Sequence, residues 1–164
     1  MLRRLVQFMD TSVLLEFLDV PGKANRPGEI KAELQQKVKA RVSLILPTAA
    51  IIETGNHICG LKEGYARRDR AVKFANLLRL SVTGQAPWAL HSATWDARLI
   101  GVLVAGAGTS RDLVQHAESR RLGAGDLSIL AERQLYRETV SSKAVQVEVW
   151  TLEHALASDA EDYR

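Results

Sequence analysis

The chain has 164 residues, of which 46% are hydrophobic and 25% are charged, a composition typical of one soluble globular domain. Lysines and arginines outnumber acids by 22 to 19, so the net charge of +3 allows an RNA partner without predicting one. The single cysteine, Cys59, excludes an internal disulfide and is expected to be a packing residue in a reducing compartment. No stretch has the length of a membrane span or a secretory leader, so we expect a cytoplasmic protein without membrane contact.

The first predicted element is an apolar strand over residues 5–9, which is followed by Asp10 and a helix. An aspartate at this point lies at the carboxyl end of a strand and beside a helix N-terminus, where open α/β sheets place their ligand sites. Asp, Thr and Ser are also favoured N-caps. Asp10, Thr11 and Ser12 therefore have two interpretations, as helix caps or as residues of a site.

A turn-rich stretch over residues 20–28 precedes a helix predicted over residues 29–41. The apolar stripe of this helix, made of Ile30, Leu34 and Val38, is narrow, so its basic residues are expected to stay exposed. A solvated surface explains this helix, and the alternative is a groove for a partner helix.

The run over residues 42–46 predicts a strand that is buried on both faces, as in a parallel sheet. A helix beginning at residue 47 or 48 follows and carries Glu53 among apolar neighbours. Its carboxylate is therefore not expected to be a simple solvated charge. Asn56 and His57, three and four residues further on, share the helix face of Glu53.

A long helix over residues 64–80 comes next. The residues on its inner side are expected to be Ala71, Phe74, Ala75, Leu77 and Leu78. Beyond it we expect a short strand over 88–90 and helices over 93–104 and 110–121. The basic residues near the start of the long helix form either an ordinary charged face or an RNA-backbone patch. They are Arg67, Arg68, Arg70 and Lys73. The three tryptophans, Trp88, Trp95 and Trp150, are expected in the core or in a dimer interface.

Two further acids lie in the last third of the chain. Asp126 begins a strongly patterned helix and, taken alone, is predicted to be its N-cap. An alternating strand over residues 145–150 then leads through Thr151 to Glu153, just past the strand end. The polar tail over residues 157–164 is expected to fray.

Together these motifs resemble the PIN-domain nucleases, in particular the small toxin ribonucleases of the VapC type, over nearly the whole chain. The stretch Met9-Asp10-Thr11-Ser12 is similar to the first family motif. The helix with Glu53 and Asn56 is similar to the second, and residues 125–131 to the third. The fourth family motif has Thr, any residue and Asp, whereas Thr151-Leu152-Glu153 has a glutamate at its end.

The resemblance implies a three-layer α/β/α sandwich on a mainly parallel sheet, with the acids gathered in one pocket. It implies that Asp10, Glu53 and Asp126, with Glu153 directly or through water, bind one or two Mg²⁺ or Mn²⁺ ions. Carboxylates about 4 Å apart repel by roughly 4 kcal/mol per pair at an effective dielectric near ~20, so such a cluster needs a cation or a proton. Ser12 and Thr11 are expected either to orient water or phosphate, or to act as caps.

The function that this resemblance implies is a metal-dependent endoribonuclease, the toxin of a toxin–antitoxin pair. Its partners would be an RNA substrate, a cognate antitoxin bound to the early helices, and a second copy in a homodimer. An alternative keeps the fold but not the chemistry, because Glu153 could mark a catalytically weak or inactive PIN domain that acts as an RNA- or protein-binding scaffold. A third class, a phosphoacceptor module using Asp10, lacks the expected clustered Asp pair and late lysine.

Overall fold

The computed structural model describes residues 3–161, which form four strands and eight helices. The strands are β1 (Arg4–Met9), β2 (Ser43–Leu46), β3 (Trp88–Leu90) and β4 (Val145–Trp150). The helices are α1 (Thr11–Phe17), α2 (Pro27–Lys39), α3 (Thr48–Cys59), α4 (Gly64–Val82), α5 (Ala97–Val104), α6 (Leu113–Ser119), α7 (Ala124–Thr139) and α8 (His154–Glu161).

The strands form one parallel sheet in the order β3-β2-β1-β4. β1 is central, and its Phe8 lies opposite Ile45 of β2 and Val149 of β4. Parallel neighbours cannot be joined by a tight turn, so helices carry the chain between them. β1 and β4 end in register at the pair Met9 and Trp150. The residues that follow each strand are thereby brought together at one edge of the sheet.

Helices cover both faces of the sheet because successive strand residues point in opposite directions. Phe8 packs edge-on against Tyr136 of α7, with ring centroids 5.5 Å apart. Its neighbour Gln7 accepts a 2.8 Å hydrogen bond from Nζ of Lys37 on α2. The predicted three-layer α/β/α architecture on a parallel sheet is therefore confirmed.

The main hydrophobic core is built on the central strand and the helices around it, with Val6, Phe8 and Met9 essentially inaccessible to solvent. A second cluster, which includes Leu127, Leu130 and Leu156, joins α7 to its neighbours. Buried side chains of β1 and α7 therefore pack close to the edge of the sheet where β1 and β4 end. Truncating one such leucine typically costs roughly 2–5 kcal/mol.

Helix α2 packs more closely than its narrow stripe predicts. Ile30 and Leu34 are buried as expected, but Val38 is exposed. Lys37, expected in solvent, has only 16% of its side chain exposed and lies 4.6 Å above the Trp150 ring. The prediction was wrong for Lys37 because a lysine can bury its aliphatic stem while its ammonium group finds a polar partner.

Several predicted helix limits move to nearby capping residues. α5 begins at Ala97 and not at residue 93, because the Asp96 side chain accepts the backbone N–H groups of Arg98 and Leu99. α6 is shorter than residues 110–121, because Asp112 caps its start and Arg120 adopts a left-handed conformation, φ 50°, at its end. Short capping residues set such limits more sharply than hydrophobic periodicity does.

Trp88 and Trp150 are buried, while Trp95 is 43% exposed, so of the two predicted locations only a dimer interface is left for Trp95. Two further expectations are corrected. Cys59, expected to pack, is exposed at the last residue of α3. The tail forms helix α8 through residue 161, so fraying was wrong for residues 157–161, while residues 162–164 lie outside the described residues. Within residues 3–161, no helix combines the length and the apolar character that crossing a membrane requires.

Candidate active site

Asp10 is the N-cap of α1 and is also deeply buried, so both interpretations of this residue apply. Its side chain is 1% exposed, unlike that of an ordinary surface cap. Oδ2 accepts three hydrogen bonds, from Ser12 Oγ at 2.6 Å, Ser12 N at 3.3 Å and Thr151 Oγ1 at 2.8 Å. Hydroxyl and amide donors stabilise an ionised carboxylate when it is removed from water.

Two hydroxyl groups hold the ends of β1 and β4 together around Asp10. Ser12 Oγ accepts the backbone N–H of Leu152 at 3.0 Å, and Thr151 Oγ1 accepts that of Glu153 at 3.0 Å. Ser12 was expected either to orient water or phosphate or to act as a cap, and in this structure its hydroxyl donates to the N-cap residue Asp10. The importance of Thr151 was missed, although its position directly after an alternating strand was the available signal.

Glu53 projects from the middle of α3 towards the first turn of α7. Thr11 Oγ1 donates a 3.3 Å hydrogen bond to Glu53 Oε1. A Cβ atom placed on Gly125 would lie 2.0 Å from the same oxygen. A side chain at position 125 would force the Glu53 carboxylate to move, so Gly125 leaves space for the observed position of Glu53. Sequence analysis did not identify this contact.

Asp126 lies in the first turn of α7 and is not its N-cap, as the sequence had suggested. The N-cap is Gly123, whose backbone N–H donates a 2.9 Å hydrogen bond to Asp126 Oδ2. The side chain therefore reaches back over the helix start from the third helical position. This places a second acid beside Glu53, because Gly125 and Asp126 are adjacent.

The neighbouring acids contribute to pKa shifts at Glu53 and Asp126. Burial raises the pKa of Glu53, and the charges of Asp126 and Asp10 raise it further, against the lowering effect of the Thr11 hydroxyl. Burial also raises the pKa of Asp126, with the Gly123 N–H opposing this and the charges of Asp10 and Glu153 adding to it. All four predicted acids are therefore electrostatically coupled, which is typical of functional sites.

A pocket of about 500 Å³ contains the whole acidic group. Asp10, Glu53, Asp126 and Glu153 all line it, and so do Thr11, Ser12 and His57. Asn56, which the family resemblance had paired with Glu53, is exposed and does not line the pocket. The wall opposite α3 comes from the loop between α1 and α2, through Lys23, Asn25 and Arg26.

The donor set of this pocket fits a hard divalent cation in its chemistry. Every acid contributes carboxylate oxygens, the ligands that Mg²⁺ and Mn²⁺ prefer, and their mutual repulsion would be relieved by a positive ion. The side chains are not already set for ligation, however. Among residues 3–161, no three His, Cys, Asp or Glu side chains stand in an arrangement that could hold a metal ion. Binding would therefore require the carboxylates to rotate towards one another.

The basic cluster on α4 is largely engaged in contacts within the protein. Arg67 donates to the backbone oxygen of Leu61 at 2.6 Å, and Arg70 donates to that of Asp19 at 2.6 Å. Lys73 forms an ion pair with Asp69 at 2.9 Å. None of these basic residues lines the acidic pocket. Arg70 joins α4 to the end of α1, while Arg68 and Lys73 are exposed, so the RNA-backbone alternative stays a prediction.

Comparison with known proteins gives no family assignment, since neither a protein-family model nor a curated protein sequence matches this chain.

Proposed function

We propose that this protein is a metal-dependent endoribonuclease that hydrolyses RNA phosphodiester bonds. The observation that carries the proposal is the meeting of Asp10, Glu53, Asp126 and Glu153 in one pocket at the carboxyl edge of a parallel sheet. Two of these acids have raised pKa values caused partly by the others. Acids that only support the fold do not need to lie where they repel one another, whereas acids that bind a cation are gathered despite their repulsion.

Asp10, Glu53 and Asp126 would hold Mg²⁺ or Mn²⁺, with Glu153 bound directly or through water. When bound, such an ion lowers the pKa of an attacking water and offsets negative charge on a phosphate. The protein's own contribution is to fix the donors. Ser12 and Thr151 orient Asp10, Gly123 orients Asp126, and Thr11 with the space at Gly125 orients Glu53.

The toxin role, a cognate antitoxin and a homodimer are proposed on the resemblance to VapC-type toxins. One feature that supports protein partners is the set of exposed apolar residues on and before α5, namely Trp95, Ile100 and Val104. Exposed apolar side chains that lie close together commonly mark protein contacts.

A second candidate function is a binding scaffold without cleavage, and one observation favours it. No ready ligating set stands among the described side chains, and Glu153 is one methylene longer than the aspartate of the related motif. A pocket that never gathers its carboxylates around a cation would bind a partner without hydrolysing it.

Cleavage of mixed cellular RNA by purified protein, in Mg²⁺, in Mn²⁺ and in chelator, separates these candidates. We expect metal-dependent products from wild type and at least ~100-fold less from Asp126→Asn, because the site loses one anionic ligand. Asparagine keeps an oxygen for the Gly123 N–H, so the fold should persist. Glu118→Gln, which removes an exposed acid on α6 that does not line the pocket, is the matched control and should cleave normally. Absence of cleavage by folded wild type in both metals would favour the scaffold.

A further inference from the structure

A buried carboxylate besides the four acids fixes the end of the loop over residues 20–26. Glu16, near the end of α1, is 4% exposed and lines the same pocket. It accepts the backbone N–H of Asn25 at 2.9 and 3.0 Å and that of Arg26 at 2.9 Å. Ionised acceptors form strong hydrogen bonds with backbone donors. The end of the loop is therefore held firmly, while the side chains of Lys23, Asn25 and Arg26 remain exposed.

The loop that Glu16 holds forms one wall of the acidic pocket. Its Lys23, Asn25 and Arg26 line the same pocket as the acids. Lys23 reaches across towards α3, since its charge adds to the effect of burial in lowering the pKa of His57. Two independent observations, the pocket lining and this electrostatic effect, thus place a lysine at the mouth of the site.

The cations of this wall are available to a ligand. Among residues 3–161, Lys23 forms no ion pair and no side-chain hydrogen bond. Arg26 pairs with Glu29 at 3.5 Å, but both side chains are more than half exposed. Exposed pairs of this kind contribute about 0–1 kcal/mol, so a ligand can displace the partner at little cost.

The negative charge of the pocket indicates what the basic side chains of Lys23 and Arg26 would bind. A polyanion approaching several carboxylates is repelled unless positive charge lies nearby. One metal ion bound by the acids would offset the negative charge of one phosphate. The neighbouring phosphates of the RNA would still need contacts with basic side chains. The basic residues of α4 do not line the pocket, so the loop over residues 20–26 is the nearest source.

We propose that Lys23, with Arg26 beside it, binds the phosphate next to the scissile one in single-stranded RNA, and that Glu16 is the positioning residue. The proposal rests on the nuclease function proposed above. It assigns RNA-backbone contact to the loop before α2 and not to helix α4.

Binding of a short fluorescent oligouridylate in Ca²⁺, a cation that carboxylates bind, without Mg²⁺ or Mn²⁺ tests this assignment. The binding is measured by anisotropy over a range of salt concentrations. We expect Lys23→Gln to weaken binding roughly threefold to tenfold and to lower the slope of log K against log salt by about 0.7, the loss of one phosphate contact. Lys31→Gln is the matched control, because it removes the same charge from an exposed position on α2 outside the pocket. Its slope should equal that of wild type.

Glu16→Gln separates positioning from bulk charge. The substitution makes the protein more positive, so electrostatics alone would tighten RNA binding. The amide keeps one acceptor oxygen but turns the other into an NH₂ donor that faces the backbone N–H groups of the loop. This loss of hydrogen bonding predicts the opposite result, weaker binding with a reduced slope, and little further loss on adding Lys23→Gln. Thermal unfolding of each variant verifies that it is folded, and Lys23→Gln decides the matter if Glu16→Gln does not fold.

The outcomes distinguish this inference from the nuclease proposal. Equal salt slopes for Lys23→Gln, Lys31→Gln and wild type would overturn the phosphate contact, while metal-dependent cleavage by the same wild-type preparation would leave the nuclease standing. A reduced slope for Lys23→Gln without any cleavage would support the contact and count against hydrolysis. Failure of wild type to bind the oligouridylate at low salt would overturn the contact.

Discussion

Asp159 and Asp126 are both aspartates on helices, but the protein surrounds them differently. Asp159 is buried, and Nε of Arg121 donates to its two oxygens at 2.9 and 2.8 Å. Asp126 shares its pocket with Asp10 and Glu153, and their charges raise its pKa. Glu132 follows the first pattern only in part: it is fully buried and its Oε2 lies 2.7 Å from Nδ1 of His91, while among the described residues its Oε1 has no hydrogen-bond partner.

The difference teaches how to tell a structural carboxylate from a functional one. Where a buried acid supports the fold, the chain supplies a cationic or amide partner for it, because an unpaired charge is costly to bury. In the pocket, burial and the charges of neighbouring acids instead raise the pKa of Glu53 and of Asp126, and no lysine or arginine is among the groups that shift Glu53. This group of acids is where the proposed cation would bind.

The largest stability effect is expected from the compensated pair. Asp159→Asn removes the negative charge that pairs with Arg121 and should destabilise the protein by about 2 kcal/mol. This is less than for a fully buried pair, because Arg121 keeps 32% of its side chain exposed. This corresponds to a fall in Tm of roughly 4–8 °C. Thermal unfolding in chelator measures it, with Glu118→Gln as the control.

The same variant should keep the activity of the wild type at temperatures well below its Tm, because the pair does not line the pocket. Loss of cleavage in folded Asp159→Asn would mean that the division between structural and functional carboxylates is drawn in the wrong place.

A smaller effect of opposite sign is expected in the pocket. Glu53→Gln removes a carboxylate that two other acids repel, at the cost of one 3.3 Å hydrogen bond from Thr11. In chelator it should stabilise the protein by about 1 kcal/mol, a value reduced for solvent screening because Glu53 is only half-buried. The measurement is again thermal unfolding.

Added Mg²⁺ or Mn²⁺ should then raise the Tm of wild type more than that of Glu53→Gln, since a ligand stabilises the state that binds it. Equal metal-induced shifts in the two proteins would show that Glu53 is not a ligand. A lower Tm for Glu53→Gln in chelator would contradict the repulsion argument.

The smallest effect is the pH dependence. Because the pKa values of Glu53 and Asp126 are raised in the folded protein, that state binds protons more tightly than the unfolded chain does. The stability that these raised pKa values contribute to the folded state is therefore fully present below the ordinary carboxyl pKa. It is lost as the pH rises through the raised values. We expect metal-free wild type to lose stability relative to Glu53→Gln over this window, measured as the difference in Tm between the two proteins in chelator.

A wild-type protein that gains stability relative to Glu53→Gln as the pH rises through the window would contradict the stated direction. Added Mg²⁺ should make this difference in Tm less dependent on pH, because the metal ion neutralises the carboxylates in place of protons.

The sequence by itself determined the order of elements and the layer type. Buried runs such as residues 42–46 specify parallel strands, and helix periodicity identifies the elements between them. Asp10 and Glu153 could be selected as candidates because each follows a strand, and Asp126 because it lies near a helix start. Glu53 could be selected because apolar residues surround it within a helix. Helix limits were less predictable, since single side chains such as Asp96 and Asp112 set them.

Only the tertiary structure decided what surrounds each acid. Gly125 and Glu53 are 72 positions apart in the sequence, so the close approach that excludes a Cβ follows from the packing of α3 on α7. Thr151 reaches Asp10 across 141 positions because β1 and β4 are neighbours in the sheet. Lys23, Asn25 and Arg26 line the same pocket as the acids, and Glu16 holds the backbone of the loop that carries them. Local patterns describe residues a few positions apart, whereas this pocket is assembled by contacts between distant parts of the chain.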